Sequence, residues 1–207
     1  MTETKLKYVL KSYVDEEEFL NEVKPILNSK ENLWKAHGLM LIGDFRFDKV
    51  VALAPMAGIT DKPFRQVCLS IGADYAVSEM LTSQTRLWSS KKSASRLTFA
   101  EQESPKIVQI AGSEPSLLVE AAITLESRNI DIIDINLGCP AKKVCGKYAG
   151  AALLQYPDKV FEIIRSVVTA TKLPVTVKMR IGWDNKNIII PEVGLRLESL
   201  GIKAIAL

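Results

Sequence analysis

An apolar run from Ile130 to Ile135 leads into Asn136-Leu137-Gly138-Cys139-Pro140, and this segment has the residue types best suited to chemistry. Its Gly-Cys-Pro turn leaves a thiol at the carboxyl end of a strand. Asp134 and Asn136 alternate with Ile133, Ile135 and Leu137, so the strand delivers polar groups to one face and apolar groups to the other. In a barrel or an open α/β sheet, the carboxyl ends of the strands are where ligands and catalytic groups collect. Lys142 and Lys143 follow at once, and cations beside a thiol favour thiolate or phosphate. The plainer reading is a small buried hydrophobe at Cys139 and two solvated loop lysines.

The elements that must position this turn follow a regular alternation. Strands are expected over Val50–Pro55, Tyr75–Glu79, Ile107–Ala111, Ile130–Asn136, Val175–Arg180 and from Ala204 to Leu207. Helices are expected over Pro63–Ile71, Pro115–Ser127, through Leu153, over Asp158–Ala170 and over Pro191–Leu200. Apolar strands alternating with amphipathic helices imply an α/β fold, a parallel sheet wrapped by helices. A (β/α)8 barrel and a doubly wound sheet both fit.

Residues 1–42 read differently. Asp15 and Glu18 resemble a capping box, and Phe19, Leu20, Val23, Ile26 and Leu27 suit one helical face. Pro25 suits the first turn of a second helix. The expected organisation is a helical extension over 1–42 and an α/β domain over 43–207.

Composition narrows the function classes. The chain has 207 residues, 47% hydrophobic and 25% charged, with a net charge of +3, which suits a globular domain with a sizeable core. The weak positive charge permits a polyanionic partner without requiring one. Cys68, Cys139 and Cys145 form no Cys-x-x-Cys pair, and His37 is the single histidine, so no metal site is expected. The absence of a long apolar stretch or a signal peptide core points to a cytoplasmic protein with no membrane partner.

Five motifs in order carry a family resemblance. Ala54-Pro55-Met56-Ala57-Gly58-Ile59-Thr60-Asp61-Lys62-Pro63-Phe64-Arg65 resembles the opening signature of tRNA-dihydrouridine synthases. Val77-Ser78-Glu79-Met80, Val108-Gln109-Ile110-Ala111-Gly112, Asn136-Leu137-Gly138-Cys139-Pro140 and Val177-Lys178-Met179-Arg180 follow in the family's order. Ala141-Lys142-Lys143-Val144 and Ala151, Leu153 and Leu154 are most similar to the bacterial B-type subgroup. The similarity runs from about Ile42 to Leu207 and decides for the TIM barrel. It stops short of the family's His-Gly-Arg motif, last strands and helical carboxyl-terminal domain, so an incomplete (β/α)8 barrel with about its first five to six strands is expected.

The resemblance implies an FMN-dependent oxidoreductase that uses NADPH to reduce a uridine in tRNA to 5,6-dihydrouridine. The position matching the proton donor is Cys139, and a thiol, with an ordinary pKa of about 8.5, suits that task. The target base has to be flipped from its stack. Pro55, Met56 and Ala57 match a flavin-contacting strand end; read alone, they simply end a strand. Gln109 matches a flavin hydrogen-bonding position, and Lys178 matches a cation beside the reduced ring. A structural bond for Gln109 and an internal ion pair of Lys178 with Asp134 or Glu79 are the alternatives. Asn136 and Arg180 match substrate-orienting positions. Trp88 and Trp183 suit burial against helices better than stacking on bases. The alternative function is an inactive remnant or a complementing half that pairs with a separate carboxyl-terminal half.

Overall fold

The computed structural model describes residues 39–48 and 50–207. The helices expected in the first 38 residues lie outside this range, and the end of the expected helical extension is a strand, β1 (Leu39–Ile42), followed by β2 (Phe45–Asp48).

From β3 (Ala52–Leu53) onward the chain alternates strand and helix: α1 (Lys62–Ser70), β4 (Tyr75–Ala76), β5 (Leu81–Thr82), α2 (Lys91–Arg96), β6 (Ile107–Ala111), α3 (Pro115–Glu126), β7 (Ile132–Leu137), α4 (Lys142–Cys145), α5 (Pro157–Ala170), β8 (Val175–Met179), α6 (Ile190–Ser199) and β9 (Ala204–Ala206). Four helices carry a proline in their first turn, where its missing N–H would have no helical partner. Asp61 caps α1 by accepting the Phe64 N–H at 3.0 Å.

Five strands form a parallel sheet in the order β5-β6-β7-β8-β9, and β3 pairs in parallel with β4. A parallel bridge from Val77 to Ile107 places the segment between β4 and β5 along β6. This order follows the chain throughout, without the reversal that defines a doubly wound sheet.

One sheet face is sealed by helices. Val108, Ile110, Ile133, Ile135, Leu137, Val175, Val177 and Met179 are buried in one core with Leu118, Ala121, Ala122 and Leu125 of α3 and Val160, Ile163, Ile164 and Val167 of α5. The strand residues recur every second position and the helix residues every third or fourth, the two periods that line one face. The intervening strand residues therefore point to the other face, and several of those are polar.

Three expected elements are shorter than their sequence suggested. The strand over Val50–Pro55 contracts to two residues: the Val51 N–H goes to the Asp74 carboxylate at 2.6 Å, and Pro55 has no N–H to offer. The strand over Tyr75–Glu79 is interrupted where Glu79 turns away to meet Gly58 and Arg96. The helical stretch expected through Leu153 becomes the four-residue α4 and a 3-10 helix over Gly150–Gln155, with left-handed Tyr148 between them and left-handed Gly150 opening the second.

Candidate active site at the carboxyl ends of the strands

The parallel register places Gln109 beside Asp134, Asp134 beside Thr176 and Asn136 beside Lys178. The face opposite the helices thus carries two tiers of polar residues, with Asn136 and Lys178 nearer the carboxyl ends. Buried amides and carboxylates must find partners, and these find one another. Thr176 Oγ1 donates to Asp134 Oδ1 at 2.7 Å, and Gln109 Nε2 donates to Asp134 Oδ2 at 2.7 Å. Asn136 Nδ2 donates to Gln109 Oε1 at 2.8 Å. Asn136 Oδ1 then accepts the N–H groups of Gly138 at 3.2 Å and Cys139 at 2.9 Å.

The direction of this chain is fixed at both ends. Two backbone N–H groups demand an oxygen from Asn136, so its nitrogen faces Gln109. Gln109 must then offer its oxygen to Asn136, and its nitrogen reaches the carboxylate. Each amide keeps a second N–H that makes no hydrogen bond among the described residues. Burial pushes the Asp134 carboxyl above its ordinary range, opposed by the bonds from Gln109 and Thr176 and by the nearby charge of Lys178. Burial also raises Tyr75, with the charges of Asp134 and Asp74 adding to the effect.

Cys139 is half-buried in the turn that this chain holds. Arg180 Nε donates to the Gly138 carbonyl at 3.0 Å, fixing the turn from β8. The Cys139 carbonyl accepts the Ala151 N–H at 3.0 Å and the Cys145 thiol at 3.4 Å. Cys139 and Cys145 are both free thiols. Lys178 is half-buried and forms no ion pair among the described residues; it acts on Asp134 through its field. Glu79, its other expected partner, is 3.5 Å from Arg96 instead.

Pro55, Met56 and Ala57 follow β3 at the same end of the parallel strands. Pro55 is half-buried and Met56 and Ala57 are exposed. Their loop is tied by Thr60, which receives the Met56 N–H at 3.0 Å, and by the Gly58 N–H, which donates to Glu79 Oε1. Trp88 is buried, its Nε1 donating to the Thr82 carbonyl at 2.8 Å, whereas Trp183 is exposed. Lys142 and Lys143 are exposed.

The sequence model described as dihydrouridine synthase matches residues 52–207. The chain belongs to the dihydrouridine synthase family. It is 50% identical over 165 residues to tRNA-dihydrouridine synthase B of Pseudomonas aeruginosa, covering 80% of this chain and 50% of the relative. The corresponding proteins of Vibrio vulnificus and Escherichia coli are each 46% identical, covering 81% of this chain and 52% of theirs. These similarities make it a B-type member of the family, and it spans about half the length of the relatives it matches.

Reading the synthase motifs one by one does not reveal the relay among Thr176, Asp134, Gln109, Asn136 and the Cys139 turn. Its signal was available: Asp134 lies two positions before Asn136, and Thr176 two before Lys178, on the same strand face. Glu79 and Arg96 were likewise invisible as a pair. Among the described residues no three His, Cys, Asp or Glu side chains converge to hold a metal, and no helix is long and apolar enough to cross a membrane. An open cavity of about 400 Å³ lined by Phe99, Lys106, Arg128 and Asn129 lies at the amino ends of β6 and β7, away from Cys139.

Proposed function

We propose that this chain is the amino-terminal part of a (β/α)8 barrel that reduces a uridine of tRNA to 5,6-dihydrouridine with FMN and NADPH, Cys139 serving as proton donor. The observation that supports it best is the Cys139 turn, clamped by Asn136 and Arg180 next to a half-buried Lys178 that has no ion pair among the described residues.

These groups fit a flavin ring. Lys178 suits a ring that gains negative charge on reduction, and the spare N–H of Gln109 suits one of its acceptor atoms, which leaves the spare N–H of Asn136 for the base. Met56 and Ala57 are exposed residues, open to a ligand approaching from the end of β3. When bound, FMN supplies the hydride. Cys139 supplies the proton to the other face of the uracil, and Asn136 and Arg180 orient the base. The clamp on the Gly138 and Cys139 amides holds the thiol in one place, so little reorientation precedes transfer.

A second reading is that the chain acts only with a separate second half. In its favour, Val51, Met56, Ile59, Phe64 and Val67 are exposed.

The test begins with an absorbance spectrum of the chain after incubation with FMN and desalting, followed by NADPH. Retained and bleached flavin, with dihydrouridine formed in added tRNA, supports the enzyme. Retention without turnover favours the two-part reading, and no retention counts against the chain as an enzyme by itself; no retention after a carboxyl-terminal half is added counts against both. Cys139→Ala should keep the flavin spectrum and lose about 10²- to 10⁴-fold in uridine reduction, the range for a general acid. Unchanged turnover would remove Cys139 from that role.

A further inference from the structure

The chain that leaves Cys139 forms a second cluster. Residues 140–156 depart from β7, pass through α4 and return so closely that a side chain on Gly150 would stand 2.7 Å from the Cys139 carbonyl. The excursion carries Lys142, Lys143 and Lys147 and neither Asp nor Glu. All three lysines are exposed and form no ion pair among the described residues.

Two aromatic rings stand on the same excursion. Tyr148 is 65% exposed and Tyr156 50%, and they meet edge to face with centroids 6.4 Å apart and planes at 66°. Tyr148 has a φ of 52°, rare for a bulky side chain and kept only where the surroundings fix it. Here Ser113 Oγ donates to the Lys147 carbonyl at 2.9 Å and the Tyr148 N–H to the Cys145 carbonyl at 2.9 Å. The backbone is thus held in a strained conformation that leaves a tyrosine ring exposed on the same excursion as three lysines.

We propose that this excursion is a docking surface for single-stranded RNA, with Lys142, Lys143 and Lys147 meeting phosphates and Tyr148, braced by Tyr156, stacking on a base that flanks the one presented to Cys139. It rests on the tRNA reading above and adds where the strand lies. Cations that track a backbone, combined with open aromatic faces, are how single strands are held without sequence preference. The loop closes on Cys139, so the nucleotides flanking a base at that thiol pass over it. An acidic protein surface would satisfy the lysines but would have no use for the exposed ring.

Fluorescence anisotropy of the full chain with a labelled uridine-containing RNA of about 12 nucleotides, a length within the footprint of such surfaces, tests this across about 50–200 mM salt. Lys142→Ala with Lys143→Ala should lower the slope of log affinity against log salt by about 1.4, at about 0.7 per phosphate on a single strand. Tyr148→Gly relieves the left-handed backbone, so it should keep its cooperative melt yet bind about tenfold more weakly with an unchanged slope. Tyr148→Phe should bind as the parent does. Parent-like affinity and slope in all variants would overturn the surface and leave the tRNA reading standing. RNA displaced by an acidic peptide, with Tyr148→Gly unaffected, would overturn it in favour of a protein partner. No RNA binding by the parent at the lowest salt would overturn both.

Discussion

Asp134 governs the site without standing at its mouth. Its carboxylate is the acceptor that orients Gln109, which orients Asn136, which holds the Cys139 amide. Burial raises its folded pKa above the unfolded value of about 3.9, so the native state holds the proton more tightly than the unfolded chain. Stability therefore falls as pH rises from about 4 through the raised value. Asp134→Asn removes this titration, and its unfolding midpoint in urea should gain on the parent as pH increases; parallel midpoints across the series would show that Asp134 does not titrate on unfolding. Lys178 acts on this carboxylate through its charge, so Lys178→Ala should raise the Asp134 pKa further, seen as a larger fall in stability with rising pH, and weaken FMN about tenfold, read by flavin titration.

At the scale of elements, α1 is joined to the segment before β6 by a buried ion pair. Arg65 is fully buried, its Nε 2.6 Å from Glu103 Oε1, with further bonds to the Thr60 and Thr98 carbonyls and Phe99 under its guanidinium. Removing one member leaves an uncompensated charge. Glu103→Ala should cost about 3–5 kcal/mol in denaturant unfolding, whereas Arg65→Met with Glu103→Leu should cost far less; equal losses would argue against the desolvation account. Gly150 ties the excursion to the catalytic turn. Gly150→Ala should lose about 1–2 kcal/mol from its left-handed backbone alone, and its Cβ would press on the Cys139 carbonyl. Faster alkylation of Cys139 in this variant would report the displaced turn; an unchanged rate would show that the turn tolerates it.

For the whole molecule, the helix-facing side of the sheet is closed, while β3, its loop and α1 leave Val51, Met56, Ile59, Phe64 and Val67 exposed. Exposed apolar side chains are available to other apolar surface or to a hydrophobic dye. The purified chain should bind a hydrophobic dye, and a complementing carboxyl-terminal half should suppress the signal; a dye-silent chain would show that these side chains are covered without one.

The sequence by itself determined the alternation of strand and helix, because the apolar positions of β6 to β8 and of α3 and α5 repeat with the periods of those elements. Ile107–Ala111 was legible to the residue. It also determined which residues are candidates, since Asn136, Cys139, Lys178 and Arg180 stand in motifs at strand ends. Breaks were less legible: β3, the interrupted strand from Tyr75 and the short α4 depend on side chains such as Asp74 and Glu79 that take backbone partners from afar. Only the tertiary structure decided that Asp134, Gln109 and Asn136 form one directed chain. A register between strands 25 to 42 residues apart sets hydrogen bonds that no local pattern contains.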